Sequence, residues 1–141
     1  MDPRFANTAA FCAEYGYTMG QSANCILVVA KTGPPAYSAN LVQATRRLDV
    51  NRTVRRLMGV RKASFASPEE TVEVTGMLTD GVTPFGLPDA LPIHIDEPIL
   101  DLDQVIVGGG SRALKILVDP EVFARMPGVK VVAELSRPGA A

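Results

Sequence analysis

The chain has 141 residues, is 47% hydrophobic and 21% charged, and sets 14 basic against 15 acidic residues for a formal net charge of −1. That balance is globular and excludes a mainly disordered chain, and the length suits one domain whose core needs no disulfide or metal staple. The apolar run at residues 25–30 is far short of a bilayer span and the opening MDPRF lacks a basic-then-apolar leader, so a soluble cytoplasmic chain with no membrane partner is expected.

Residues 5–15 read as a helix with Phe5, Ala9 and Cys12 on one face and Gly16 as its stop. The β-branched run at 24–31 reads as a buried strand, and a Thr-Gly-Pro-Pro turn leads into a second strand at 37–43, making a hairpin. Asp49 reads as the N-cap of a helix ended by Gly59. Val50, Val54, Leu57 and Met58 fall on one side of it, and Arg52, Arg55 and Arg56 on the other. A short strand at 62–66 precedes Ser67-Pro68-Glu69-Glu70, a capping box with proline at the first helical position, whose helix runs to about Thr75.

Residues 76–92, rich in glycine and proline, are too irregular for a helix or a central strand. Short strands follow at 93–95 and 104–107, then a sharp loop at 108–112 and a returning strand at 113–118. Asp119-Pro120-Glu121 opens another capped helix, and 129–135 is a last strand or helix edge. The expected architecture is a mixed α/β sheet, partly closed, with helices packed outside. The expected domain is 1–141, its core about 5–135, with 136–141 frayed.

Counting removes several chemistries. Two cysteines without a CxxC spacing and a single histidine, His94, cannot furnish a structural zinc site. No G-x-S-x-G elbow and no P-loop occur, so an enzyme of this sequence works by positioning and backbone electrostatics. Cys12 and Cys25 read as small core residues. His94 alternates with Ile93 and Ile95 and is expected on the solvent side. Lys31 and Lys115 each sit on a strand, where position does not separate a site lysine from a surface one.

Three features carry possible chemistry. Residues 46–62 hold seven basic residues against Asp49, a net +6 that leaves −7 on the rest of the chain. That face reads either as a contact for a phosphate backbone or as a solvated helix surface. The loop at 80–88 reads as a backbone cradle able to hold an oxyanion, or as a plain Ω-loop. The triple glycine at 108–110 reads as an anion nest or as a tight hairpin bend.

Taken in order, the segments at 22–28 (SANCILV), 47–59 (RLDVNR to LMG), 62–70 (KASFASPEE), 75–86 (TG to GVTPFG) and 108–115 (GGGSR to K) resemble the YbaK/prolyl-tRNA-synthetase-associated editing domain family. The resemblance covers about residues 5–135 and implies a YbaK-like fold, a largely antiparallel, partly closed β-sheet or barrel with surrounding helices. It also implies deacylation of mischarged aminoacyl-tRNA without a metal or other cofactor. The family's G-x-x-x-P loop maps onto 80–84, with Asp80 in place of the first glycine, and Asn24 stands where members commonly carry a lysine.

The resulting expectation is a trans-acting deacylase for a tRNA mischarged with a small amino acid of the proline, cysteine or alanine class. Asn24, Gly81, Val82, Thr83 and Pro84 are the catalytic candidates, and Phe85, Gly109, Gly110, Ser111 and Arg112 the substrate-binding ones. Arg47, Arg52, Arg55 and Arg56 are candidate contacts for the tRNA acceptor end, a reading from charge rather than from the family pattern. An aminoacyl-tRNA synthetase is a further expected partner. The rival readings are a non-catalytic module binding a tRNA end, aminoacyl group or nucleotide, and a protein-interaction domain.

Overall fold

The structure, a computed structural model, describes Asp2, Arg4 and residues 6–139. Phe5, expected on the first helix face, lies outside the described residues. That helix, α1, runs Thr8–Tyr15: Asn7 caps it by accepting from the Ala9 and Ala10 N–H groups, and Gly16 ends it in the left-handed conformation (φ 77°).

The main sheet has five strands: β1 (Ala23–Ala30), β2 (Tyr37–Gln43), β4 (Ala63–Phe65), β5 (Ile93–Asp96) and β8 (Val129–Val132). Their order across the sheet is β4-β1-β2-β5-β8. β1 pairs antiparallel with β2 and β4, while β2–β5 and β5–β8 are parallel. Two antiparallel ribbons accompany it: β3 (Arg46–Leu48) with β9 (Ser136–Pro138), and β6 (Val105–Gly108) with β7 (Lys115–Val118). The mixed α/β class and the mainly antiparallel pairing agree with the sequence. No closed barrel forms among the described residues; a single bridge from Ser22 to Ile106 joins the β6–β7 ribbon to the start of β1.

Alternation along β1 and β2 sends Cys25, Leu27, Ala39 and Leu41 to one face, where they meet Ile93, Ile95, Ile99, Val105, Val107 and Phe123. Val28 and Val42 point to the other face, against Leu48, Val50, Val54, Val132 and Leu135. Both faces are therefore covered, which corrects the reading of His94. It does point away from the isoleucines, yet it is only 5% exposed. Its Nδ1 lies 2.8 Å from Oδ1 of Asn40, the residue opposite it in register on β2. Asn40 Nδ2 already donates to Ile26 O and to Ser38, so the imidazole is the donor, as its Nδ1–H tautomer.

Two further expectations change. The segment after Asp49 opens as a wide turn, with Val54 N–H reaching back five residues to Asp49 O (3.0 Å), and regular helix, α2, covers only Arg55–Met58. The widening lets Val50, Thr53 and Val54 all be buried, with Thr53 Oγ1 donating to Glu134 O. The expected fraying from residue 136 is also corrected. β9 is held in register by β3, and Ser136 Oγ donates to the buried carboxylate of Asp96 while accepting from Arg46 Nε; Ala140 and Ala141 lie outside the described residues. The remaining helices are α3 (Pro68–Thr75), opened by the reciprocal Ser67–Glu70 capping box, and α4 (Glu121–Arg125).

Candidate active site

A pocket of about 400 Å³ opens where the start of β1 meets α1, the loop around residue 80 and the β6–β7 ribbon. Asn24 and Cys25 line it from β1, Thr8 from α1, Asp80 and Val82 from the loop, and Gly108 and Lys115 from the ribbon. Two glycines let these segments close. A Cβ on Gly108 would collide with Val82 O, and one on Gly81 would lie 2.9 Å from the Ser111 carbonyl carbon. Gly110 N–H donates to Gly81 O at 2.8 Å, so loop and ribbon form one joined unit.

Asn24 accepts from Thr8 Oγ1 at 2.8 Å through its Oδ1, which leaves its amide N–H groups for a ligand. Among the described residues, Lys115 is the one ammonium lining the pocket. Its Nζ sits 5.5 Å from the Phe11 ring centroid, and burial lowers its pKa, an effect opposed by the nearby Asp80 carboxylate. Asp80 itself pairs with Arg112 at 3.1 Å, so its charge is partly answered at the pocket mouth. Cys25 lines the pocket, but burial pushes its thiol up to about 12, which keeps it protonated and a poor nucleophile at neutral pH.

The structure thus brings Asn24, Val82, Asp80 and Lys115 around one hollow and sorts the remaining candidates. Gly81 is not a free donor: its N–H goes to Leu78 O at 2.8 Å, and its role is the close approach to Ser111. The N–H groups of Val82 and Thr83 have no partner among the described residues. Pro84 is buried behind them. Phe85 is turned into the core, stacked on Phe123 with ring centroids 5.7 Å apart, and so does not line the pocket. Gly109 N–H is taken by Leu114 O, and Gly109, Gly110 and Ser111 lie behind the wall rather than in it. Arg112 reaches the site through Asp80.

Lys115 and Thr8 are what sequence reasoning left out. The signal for Lys115 was present, a lysine on a strand directly after a glycine bend, but only the pairing of β6 with β7 turns it toward β1. Of the arginines, Arg55 folds back to donate to Asn51 O and Val60 O, while Arg47, Arg52 and Arg56 are exposed. Among the described residues no group of three or more His, Cys, Asp or Glu side chains is placed to hold a metal ion, and no helix is long and apolar enough to cross a membrane.

Residues 2–126 match the family model for the aminoacyl-tRNA editing domain. Among solved structures, the chain is similar to a hypothetical protein, APE2540, at 25% identity and a TM-score of 0.83, covering 94% of this chain and 85% of that one. It is also similar to a protein described as a candidate trans-editing enzyme for prolyl tRNA synthetase, at 26% identity and a TM-score of 0.82, covering 99% of this chain and 84% of that one.

Proposed function

The chain belongs to the aminoacyl-tRNA editing domain family, and from that premise we propose that it hydrolyses the ester of a tRNA mischarged with a small amino acid, acting in trans. The observation that carries the reading is the pocket itself, around which Val82, with its unpartnered backbone N–H, stands together with the Asn24 amide and the Lys115 ammonium. An aminoacyl ester is already labile, so holding it beside a water and stabilising the charge that develops on its carbonyl oxygen is enough chemistry for a catalyst. In that reaction a water oxygen bonds to the carbonyl carbon, the bond to the terminal ribose oxygen breaks, and the water's proton ends on that ribose oxygen.

Val82 N–H and Thr83 N–H are the donors for the developing oxyanion, with Pro84 fixing the backbone behind them. Asn24 anchors the substrate by donating from its amide, oriented by Thr8. Lys115 supplies the positive charge. The hollow is at the small end of the range for ligand pockets, roughly 300–1,000 Å³, which suits a small side chain on the end of a ribose.

The test is release of amino acid from alanyl-, cysteinyl-, seryl- and prolyl-esters of mischarged tRNA, with the protein pretreated with a chelator. Turnover of at least one ester supports the deacylase and names its substrate. Retained tRNA binding with no release from any ester would overturn it in favour of a binding module of the same fold.

A further inference from the structure

A second hollow, about 460 Å³, lies beside the first, and Phe65 at the edge strand β4 lines both. Phe65 is 55% exposed, an unusual setting for a phenylalanine. The far wall comes from the β3–β9 ribbon, whose register sets Arg47 opposite Arg137, both exposed and both lining the hollow. Like charges directly opposite on a ribbon repel. Arg137 is relieved by Asp49 at 3.3 Å, whereas the Arg47 side chain has neither an ion pair nor a hydrogen bond among the described residues.

The surrounding arginines are otherwise engaged or elsewhere. Arg46 is drawn inward to Ser136 (Nε to Oγ, 2.7 Å), Arg55 is bound to its own backbone, and Arg52 and Arg56 line neither hollow. Two arginines facing a hollow, only one of them answered by a carboxylate, with an exposed ring at its rim, match a ligand that offers a phosphate and a flat base together.

We propose that this second hollow holds the single-stranded 3′ end of the acceptor RNA, a phosphate on Arg47 and a base against Phe65, while the terminal ester crosses into the first pocket. The inference rests on the deacylase reading for its ligand, and it narrows the RNA contact from a diffuse basic face to Arg47, Arg137 and Phe65. Stacking explains why the ring is left in solvent, since every base has a face to offer it. The Arg47 cation, which no carboxylate answers among the described residues, complements the charge of a phosphate.

The experiment is equilibrium binding of a labelled, uncharged RNA minihelix ending in CCA, measured over a series of salt concentrations. Arg47→Gln should weaken binding several-fold and lower the slope of log K against log salt by about 0.7, the share of one phosphate on a single strand. Arg47→Lys should keep most of the affinity. Phe65→Ala should weaken binding about tenfold, and Phe65→Trp should restore it. Arg47 and Phe65 are exposed, so circular dichroism should show all four variants folded.

Unchanged affinity and slope in Arg47→Gln and Phe65→Ala, or no binding by the unmodified protein, would overturn the proposal. Ester hydrolysis is read separately on the same proteins. Absent hydrolysis with the variant effects on binding intact would sink the deacylase and leave the RNA surface standing. Hydrolysis with no variant effect on binding would do the reverse.

Discussion

Asn24 has both amide N–H groups to offer a ligand while Thr8 engages its oxygen, and an amide brings no charge to an ester or a phosphate. The charge in this pocket comes instead from Lys115, on a strand 91 positions further along the chain. If its ammonium stabilises the reacting ester, Lys115→Met should lower kcat/KM by about 100-fold, in the range of one removed electrostatic contact. Asn24→Lys in that background should recover part of the loss by returning an ammonium from β1. Single-turnover hydrolysis measures both, and a Lys115→Met enzyme of full activity would remove Lys115 from the mechanism. Burial lowers the pKa of Lys115, so its positive form is lost as pH rises through a value below that of an ordinary lysine. The alkaline limb of the pH–rate profile should therefore fall earlier than a free lysine would dictate and should disappear in Lys115→Met.

At the scale of elements, the pocket depends on how closely the loop at 78–84 sits on the β6–β7 ribbon. A methyl group on Gly108 would meet the carbonyl oxygen of Val82, which is backbone and cannot swing aside as a side-chain tip would. Gly108→Ala should therefore destabilise the protein by about 1–3 kcal/mol in urea unfolding and reduce hydrolysis by displacing Val82. Gly86→Ala is the control: its φ of 71° carries strain, but open space surrounds it, so stability should drop by roughly 1 kcal/mol with kcat retained. Equal effects of the two changes on kcat would show that the close contact does not shape the site. The same contact explains why sequence reading assigned Gly81 an oxyanion role. A glycine in a loop looks alike whether it frees an N–H or makes room for a neighbour 30 residues away, and here Leu78 takes the N–H and Ser111 the room. What local chemistry dictates was legible: the Ser67–Glu70 box, the Gly16 stop and the β1–β2 hairpin all lie within a few residues of their cause. The β3–β9 ribbon was not legible, because three residues at Arg46–Leu48 become a strand only when Ser136–Pro138 lies beside them, pinned by Asp96.

For the molecule as a whole, covering both faces of the main sheet puts the chain's only histidine inside it. Alternation gave the direction of His94 correctly, but no local pattern shows that residues 48–54 and 132–135 return to cover that side. Burial lowers the pKa of His94, and the Lys130 ammonium adds to the effect, so the folded protein holds the ring neutral where the unfolded chain would protonate it. The sign follows directly: this group's contribution to stability is complete above the ordinary histidine value of about 6.5 and is lost as pH falls toward the lower folded value, because the unfolded chain binds the proton first. With one histidine, the slope of unfolding free energy just below pH 6.5 is bounded by one proton, about 1.4 kcal/mol per pH unit. Urea midpoints at pH 7.5, 6.5 and 5.5 should decline in that order. In His94→Gln, which keeps a donor for Asn40 Oδ1 without a titrating ring, the decline should flatten even if the starting stability is lower. A decline of the same steepness in the variant would assign the pH dependence to groups other than the buried ring.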